Sequence, residues 1–512
     1  MHGSDQEHHH RLVEERVSGL LLHISCLPSH YGIGDMGAAA YRLADQLHEA
    51  GQKYWQILPL NPTNSHSGES PYFSSSAFAG NPLLIDLDAL VQEGLLAADD
   101  VVAPERLPET EIDFTRVRDF KTGVLHKACT TFLSRGEPAD FARFCEKHAH
   151  WLEDFSLFMA IHRRHEGISW ADWPPELRDR QQGALDRARE EMAGDIQREK
   201  ILQYIFFGQW ESLKHYCNER GLRIFGDMPI YVSYESADVW SHTGIFKLDA
   251  AKRPTAVSGV PPDYFSATGQ LWNNPVYDWG ALQSCRYGWW IDRMGAVFER
   301  FDVVRIDHFR GLVQYWEVPA DHDTAMHGSW QDVPTYDFFD TLRAAYPHFP
   351  VVVEDLGIIT DDVVEVKRHY GFPGMLILQF AFVEEGDHNP YLPHNHPQRA
   401  VAYLGTHDNT TARGWLEEEV DDAVRSRLFR HIEWAEDTTQ VVRNAIELLM
   451  SSRADIAIVT AQDLLALPSR ARINDPSVNT GNWRWRLTEE EFASIDMEYL
   501  RDVTARNGRA VG

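Results

Sequence analysis

The sequence predicts an α/β fold: a (β/α)8 TIM barrel with large insertions, one of them an all-α subdomain, and no C-terminal β-domain. Three observations carry that reading. Eight short, near-continuously apolar runs recur between helical stretches, the pattern of a parallel sheet buried on both faces. A long run of charged amphipathic segments without strands separates the second apolar run from the third. Each of the last six runs ends in carboxylate, amide or histidine side chains, where barrel active sites are built.

The elements follow in chain order. SGLLLHISCLP (18–28) reads as the first strand, and DMGAAAYRLADQLHEAG (35–51) as a helix ended by Gly51. YWQILPL (54–60) is the second strand. A polar loop rich in Gly, Ser, Asn and Pro comes next, yet it carries Tyr72, Phe73 and Phe78. Together these make a first segment, 18–85. The stretch 86–218 is expected to be a mainly α-helical insertion. The rest of the barrel occupies 219–512. GLRIFGDMPIYV (221–232) is strand three, followed by an irregular aromatic insertion at about 236–287 and a helix at GWWIDRMGAVFERF. FDVVRID is strand four, FPVVVEDLG (349–357) five, GMLILQFAF (374–382) six, AVAYLGTHDN (400–409) seven and ADIAIVTAQDLL (454–465) eight.

Composition narrows the partners. The 512 residues carry a net charge of −29, which disfavours nucleic acid and anionic membranes. The 16 Trp and 18 Tyr supply flat rings suited to stacking on sugars or to packing. Five cysteines (Cys26, Cys129, Cys145, Cys217, Cys285) are widely spread and read as free thiols in a reducing compartment. With no apolar signal core and no run of membrane-spanning length, a cytoplasmic location is expected.

The strand ends bear the chemistry: Asp227, then Arg305, Asp307 and His308, then Glu354 and Asp355, Gln379, His407 and Asp408, and finally Gln462 and Asp463. No Lys stands among them for a Schiff base, and no Gly-rich phosphate loop follows strands seven and eight. Neither a cofactor nor a metal is expected, since no H-x-H or H-x-x-x-H spacing occurs at the mouth. A ring of carboxylates suits glycosyl transfer, in which one attacks or stabilises the sugar carbon and another protonates the leaving oxygen. Bland readings stand beside this one. Asp307 can pair with a neighbouring Arg, Glu354 and Asp355 can cap a helix, and His308 and His407 can be structural. The run VRIDHFR thus poses a question: whether Asp307, His308 and Arg310 are paired with their surroundings or aimed at a substrate.

Motifs over nearly the whole length settle on one family. YWQILPLNPTNSHSGESPYFSSSAFAGNPLLID, GDMPIYVSYESADVW, VSGVPPDYFSATGQLWNNPVYDW, VRIDHFRG, VVVEDLG, GFPGMLILQFAF, GTHDNTT and GNWRWR, in this order, resemble the 4-α-glucanotransferases of the amylomaltase (disproportionating enzyme) family in the α-amylase clan. The resemblance implies transfer of α-1,4-glucan segments between maltooligosaccharides or other α-glucans, with glucose as an acceptor, by a retaining double displacement. It implies Asp307 as nucleophile, Glu354 as general acid/base and Asp408 as the third carboxylate. Arg305 would orient Asp307, with Asp227 behind it. Ser70, Tyr72, His308, His407 and Asn474 would bind the substrate, and Phe265 and Trp272 would contact sugars from an aromatic loop. Ser477 departs from the Gly usual after this Pro in the family, which leaves the turn around Asn474 open. Two other classes remain: an α-amylase-like hydrolase with the same carboxylates, and a non-catalytic glucan binder.

Overall fold

The computed structural model describes residues 12, 15–103, 106–262, 266–478 and 480–511. Its strands in chain order are β1 (Val17–Leu21), β2 (Tyr54–Gln56), β3 (Arg223–Met228), β4 (Ala256–Val260), β5 (Gln270–Pro275), β6 (Val303–Ile306), β7 (Gln314–Pro319), β8 (Ser329–Asp332), β9 (Val351–Val353), β10 (Gly374–Ile377), β11 (Ala400–Tyr403) and β12 (Ile456–Thr460). Eight of them pair in parallel in the order β10-β11-β12-β1-β2-β3-β6-β9. The Val353 N–H donates to the Pro373 carbonyl (2.9 Å), which carries the ladder from β9 to the start of β10 and closes the ring. The result is the (β/α)8 barrel that the apolar runs predict.

Alternation along each strand divides its side chains between two cores. Leu21, Phe225, Val303, Val352, Val401 and Ile458 fill the lumen. Their neighbours Leu20, Ile224, Val304, Val351, Ala402 and Val459 face the surrounding helices. At Gly226 on β3 the Phe301 ring lies so close that an added Cβ would meet it at 2.2 Å, so glycine is required there.

The strands are shorter than the apolar runs. Segment 18–28 leaves the sheet after Leu21 and turns through a 3-10 helix at Ile24–Cys26. Segment 374–382 does the same at Leu378–Phe382, and 454–465 passes into a helix at Ala461–Leu464. In each case apolar residues continue beyond the strand because the departing turn is itself buried. Pattern alone does not separate a buried strand from the buried turn after it.

The stretch between β2 and β3 holds helices at Phe114–Ser134, Ala139–Lys147, Ala149–Arg164, Gln182–Glu191 and Ala193–Glu219. The last of these runs directly into β3, so one 27-residue helix belongs both to the insertion and to the barrel wall. The aromatic insertion read as irregular contains β4 and β5. These join β7 and β8 in a separate antiparallel sheet, order β5-β4-β7-β8, beside the barrel mouth. Among the described residues no strand follows β12; the chain ends in helices at Glu489–Ala493 and Met497–Arg506.

A single buried guanidinium fastens the C-terminus to the floor of the barrel. Arg509 donates to the carbonyls of Met450 (2.7 Å), Val17 (3.0 Å), Ser452 (2.7 Å) and Ala454 (2.9 Å). Removing it takes a donor from all four buried carbonyls, of which Arg16 still reaches those of Met450 and Ser452. Arg509→Ala should therefore cost roughly 3 kcal/mol or more in urea unfolding. Turnover per folded molecule should be unchanged, because these contacts lie at the strand ends opposite the mouth.

Candidate active site

Arg305 organises the mouth. It lies on β6 directly opposite Asp227 of β3 in the parallel register. Alternation turns it, like Val303, into the lumen. Its Nη1 reaches both Asp227 oxygens at 2.9 Å, and its Nη2 pairs with Asp307 Oδ1 at 2.7 Å. Burial works against this cation, yet Asp227 and then Asp307 outweigh it and raise its pKa well above the ordinary value. One permanently charged fork thus holds two carboxylates. Asp227 is wholly buried, whereas the Asp307 side chain is 29% exposed and open to the mouth.

The two carboxylates on β6 and β9 occupy the last rungs of the ladder. The Asp307 N–H donates to the Met228 carbonyl (3.0 Å), and the Glu354 N–H to that of Ile306 (2.9 Å). The Glu354 carboxyl accepts from the backbone N–H groups of His308 and Leu356, both at 2.8 Å. Burial raises its pKa from 4.5 to about 8, against the pull of Arg305 and with a push from Asp307. Its neighbour Asp355 turns the other way. It accepts from the Met375 N–H (2.8 Å), pairs with Lys367, and so ties β9 to β10.

His308 takes a left-handed backbone conformation (φ 49°, ψ 51°). Its ring stands perpendicular to Trp272 of β5 at 4.7 Å. Burial lowers its pKa to about 4, so it is neutral, and its buried Nε2 has no partner among the described residues. Arg310 is not at the carboxylates: it stacks over Trp330 (4.0 Å) and donates to Thr360 Oγ1 (2.7 Å). The question posed by VRIDHFR has a divided answer. Asp307 is both paired and open, His308 packs edge-on against Trp272 with its Nε2 buried, and Arg310 is paired with β8 and the loop after β9.

Across the mouth, Tyr72 links the two halves. Its hydroxyl donates to Asp227 Oδ2 (2.7 Å) and lies 2.8 Å from His407 Nε2. The phenol has one proton and Asp227 takes it, so His407 must carry its own proton on Nε2. That nitrogen is also 3.3 Å from Asp408 Oδ1, which accepts from Asn474 Nδ2 at 2.6 Å. Tyr72 stacks on His407 (5.5 Å) and packs against Trp483 (5.6 Å), making an aromatic wall. Ser70 Oγ accepts from the Tyr72 N–H (3.3 Å) and shapes the turn that presents the ring. Phe265 lies outside the described residues. No group of three or more His, Cys, Asp or Glu among the described residues is placed to hold a metal ion.

Three further residues belong to this mouth and were not read from the sequence. His23 lies just past β1, where its Nδ1 accepts from the Leu58 N–H (3.2 Å). Burial, together with nearby His407, lowers its pKa to about 3. A strand-end reading begun at strand one would have found it. Trp483 sits in GNWRWR, a motif with no single residue marked. Arg472, which contacts the Asp408 carbonyl, follows the eighth strand by more than ten residues and gave no positional signal.

A (β/α)8 barrel whose mouth sets Asp307, Glu354 and Asp408 around a buried arginine falls in the class of barrel enzymes that act on glycosidic bonds. The model of the 4-alpha-glucanotransferase family matches residues 22–491, and the chain belongs to that family. It is 44% identical over 494 residues to a 4-alpha-glucanotransferase of Streptococcus pneumoniae, covering 96% of this chain and 97% of that one. It is 42% identical over 503 residues to a 4-alpha-glucanotransferase of Thermus thermophilus, covering 96% and 99%. Its fold matches that of an amylomaltase from Streptococcus agalactiae, solved in complex with acarbose, with a TM-score of 0.93 and 36% identity over 97% of this chain and all of the other.

The pKa of Glu354 makes a stability prediction. Folded, it keeps its proton to about pH 8; unfolded, it releases it near 4.5. Between these values the folded state binds more protons, so this group's contribution to stability falls as pH rises. Glu354→Gln removes that penalty. Thermal unfolding should find the variant more stable than the parent above about pH 8 and the gap closing toward about pH 4. An equal gap at both ends would mean that Glu354 ionises freely in the fold.

Proposed function

We propose that the chain is a 4-α-glucanotransferase that moves α-1,4-glucan segments from a donor maltodextrin to glucose or another α-glucan by a retaining double displacement. The observation that carries this is the opposed state of two neighbouring carboxyls. Arg305 pairs with Asp307 at 2.7 Å, while burial keeps the proton on Glu354. An anionic nucleophile beside a protonated acid is what the first half-reaction requires.

In that step Glu354 gives its proton to the glycosidic oxygen while an Asp307 oxygen attacks the anomeric carbon. The bond to the leaving chain breaks, a covalent β-glucosyl ester forms on Asp307, and the leaving chain departs with a new hydroxyl. In the second step the acceptor hydroxyl passes its proton to the now ionised Glu354 and attacks the same carbon, which frees Asp307. Asp408, with His407 and Asn474 beside it, takes hydroxyls of the donor sugar. Tyr72 supplies the stacking face, and Asp227 holds Arg305. Trp272 of β5, edge-on to His308, serves the acceptor side. Five free cysteines fit a cytoplasmic setting.

Hydrolysis needs the same carboxylates and differs only in which hydroxyl reaches the intermediate. Membership of the family favours transfer. Maltotriose separates the readings: a transferase gives glucose and a ladder of longer chains, a hydrolase only shorter sugars, and a binder neither. Asp307→Asn or Glu354→Gln should cost ~10²–10⁴-fold or more in turnover. Donor cleavage should decline as pH rises through about 8, because the acid is then lost. Trp272→Ala should lower transfer more than total cleavage, so that the hydrolysed share of maltotriose rises. A proportional fall in both would assign Trp272 to packing of the loop.

A further inference from the structure

The loop after the eighth strand carries a clamp that neither the motifs nor the carboxylate chemistry assigns. Arg472 donates from Nε to the Asn474 carbonyl (2.7 Å) and from Nη2 to the Asp408 carbonyl (2.6 Å). Its Nη1 lies 3.3 Å from Asp475 Oδ2. Asn474 is the residue whose side chain meets Asp408, and its own N–H donates to the His407 carbonyl (3.0 Å). One guanidinium therefore grips the backbones of both partners of the Asn474–Asp408 contact.

We propose that Arg472 is a positioning residue for the donor side of the site: it fixes the distance between the loop that carries Asn474 and the strand end that carries Asp408. The proposal rests on the glucanotransferase reading above. Three features support it. First, its strength lies in the carbonyl bonds, since the Arg472 side chain is 24% exposed and an ion pair at such a place is worth little. A planar fork can span two carbonyls and a carboxylate at once, which a lysine ammonium cannot. Second, the loop is stiffened from within. Asp475 accepts from both the Ser477 N–H (3.0 Å) and the Ser477 hydroxyl (2.6 Å), and Asn482 exchanges bonds with Asp475 N–H and carbonyl at 2.9 and 3.0 Å. The Ser477 hydroxyl thereby helps to hold Asp475 in place for Arg472. Third, the same loop ends in Trp483, whose N–H donates to the Ile473 carbonyl (2.7 Å) and whose ring abuts Tyr72 and His407. A shift of the loop would move Asn474 and that aromatic wall together. The acceptor-side Trp272 is on β5, in the other sheet, and would not follow.

The test uses the full chain with maltotriose as donor and glucose as acceptor, each varied at a saturating level of the other. Arg472→Ala and Arg472→Lys should each lose ~10- to 10²-fold in donor kcat/KM, the scale of about 1 Å of misplacement. The KM for glucose should stay at the parent value. Guanidinium ion at low millimolar concentration should restore part of the activity of Arg472→Ala and none to Asp408→Asn. Arg472→Lys keeps the stem and the charge, so the donor–acceptor split can be read on it if the alanine variant folds poorly. The inference is overturned if donor kcat/KM stays within about twofold of the parent. It is equally overturned if the glucose KM moves in step with the donor and guanidinium restores nothing, since that marks general loosening. A parent enzyme that makes no ladder from maltotriose sinks the activity reading instead, before any variant is compared.

Discussion

The fork of Arg305 between Asp227 and Asp307 is the constraint on which the rest of the mouth depends. Two carboxylates this close cannot both stay ionised in a low-dielectric site without a cation between them. Arg305 supplies that cation from the barrel lumen, with a charge that no accessible pH removes. Its contacts are unequal in solvent as well as in number. Asp227 takes two bonds and is sealed in, and Asp307 takes one and faces the mouth. One oxygen of Asp307 is thus held by Arg305, while the side chain stays open to the mouth. The same positive charge pulls Glu354 toward ionisation, and burial must overcome that pull for Glu354 to keep its proton.

From this pair two hydrogen bonds cross the mouth, Asp227 to the Tyr72 hydroxyl and Tyr72 to His407, and the His407 ring comes within 3.3 Å of Asp408. The direction of each proton follows from the one before it. The Tyr72 hydroxyl donates to Asp227, so the phenol oxygen accepts at its other side, from a proton on His407 Nε2. Neutral His23 sits nearby without adding a charge. The Asp307 side and the Asp408 side of the mouth are therefore linked through the same side chains. Tyr72, presented by a loop far from β6 in sequence, is the central link.

Much of this was legible in the sequence, and the limits are physical. Lumen alternation and strand-end chemistry locate Asp227, Arg305, Asp307, Glu354 and Asp408, because a parallel barrel forces polar side chains to the one end of the strands that is open. Strand lengths were not legible, since Ile24 and Leu378 are as buried in their turns as they would be in strands. The antiparallel sheet beside the mouth was not legible because three of its four strands, β5, β7 and β8, are only partly buried. The run Ser329–Asp332 buries neither face fully and gives no alternation to read. The difference between Glu354 and Asp355 is also invisible in a run of three valines followed by two acids. It is set by which neighbour answers: backbone N–H groups at the mouth for the first, Met375 and Lys367 in the wall for the second.

The mouth also stores backbone strain, and the residues that do the chemistry hold it there. His308 and Trp483 both adopt positive φ, 49° and 66°, where a side chain is disfavoured and glycine would be at ease. Such conformations persist only when surrounding bonds over-determine them. For His308 the restraint is the Glu354 carboxyl, which accepts its N–H, while Trp272 meets its ring. For Trp483 it is the Ile473 carbonyl, inside the loop that Arg472 clamps to Asp408. A glycine at either place would relax the chain and lose the ring that lines the site. The strain is therefore tied to the protonation of the site through the same atoms: the Glu354 carboxyl keeps a proton and accepts the His308 N–H, and it cannot be moved without disturbing both.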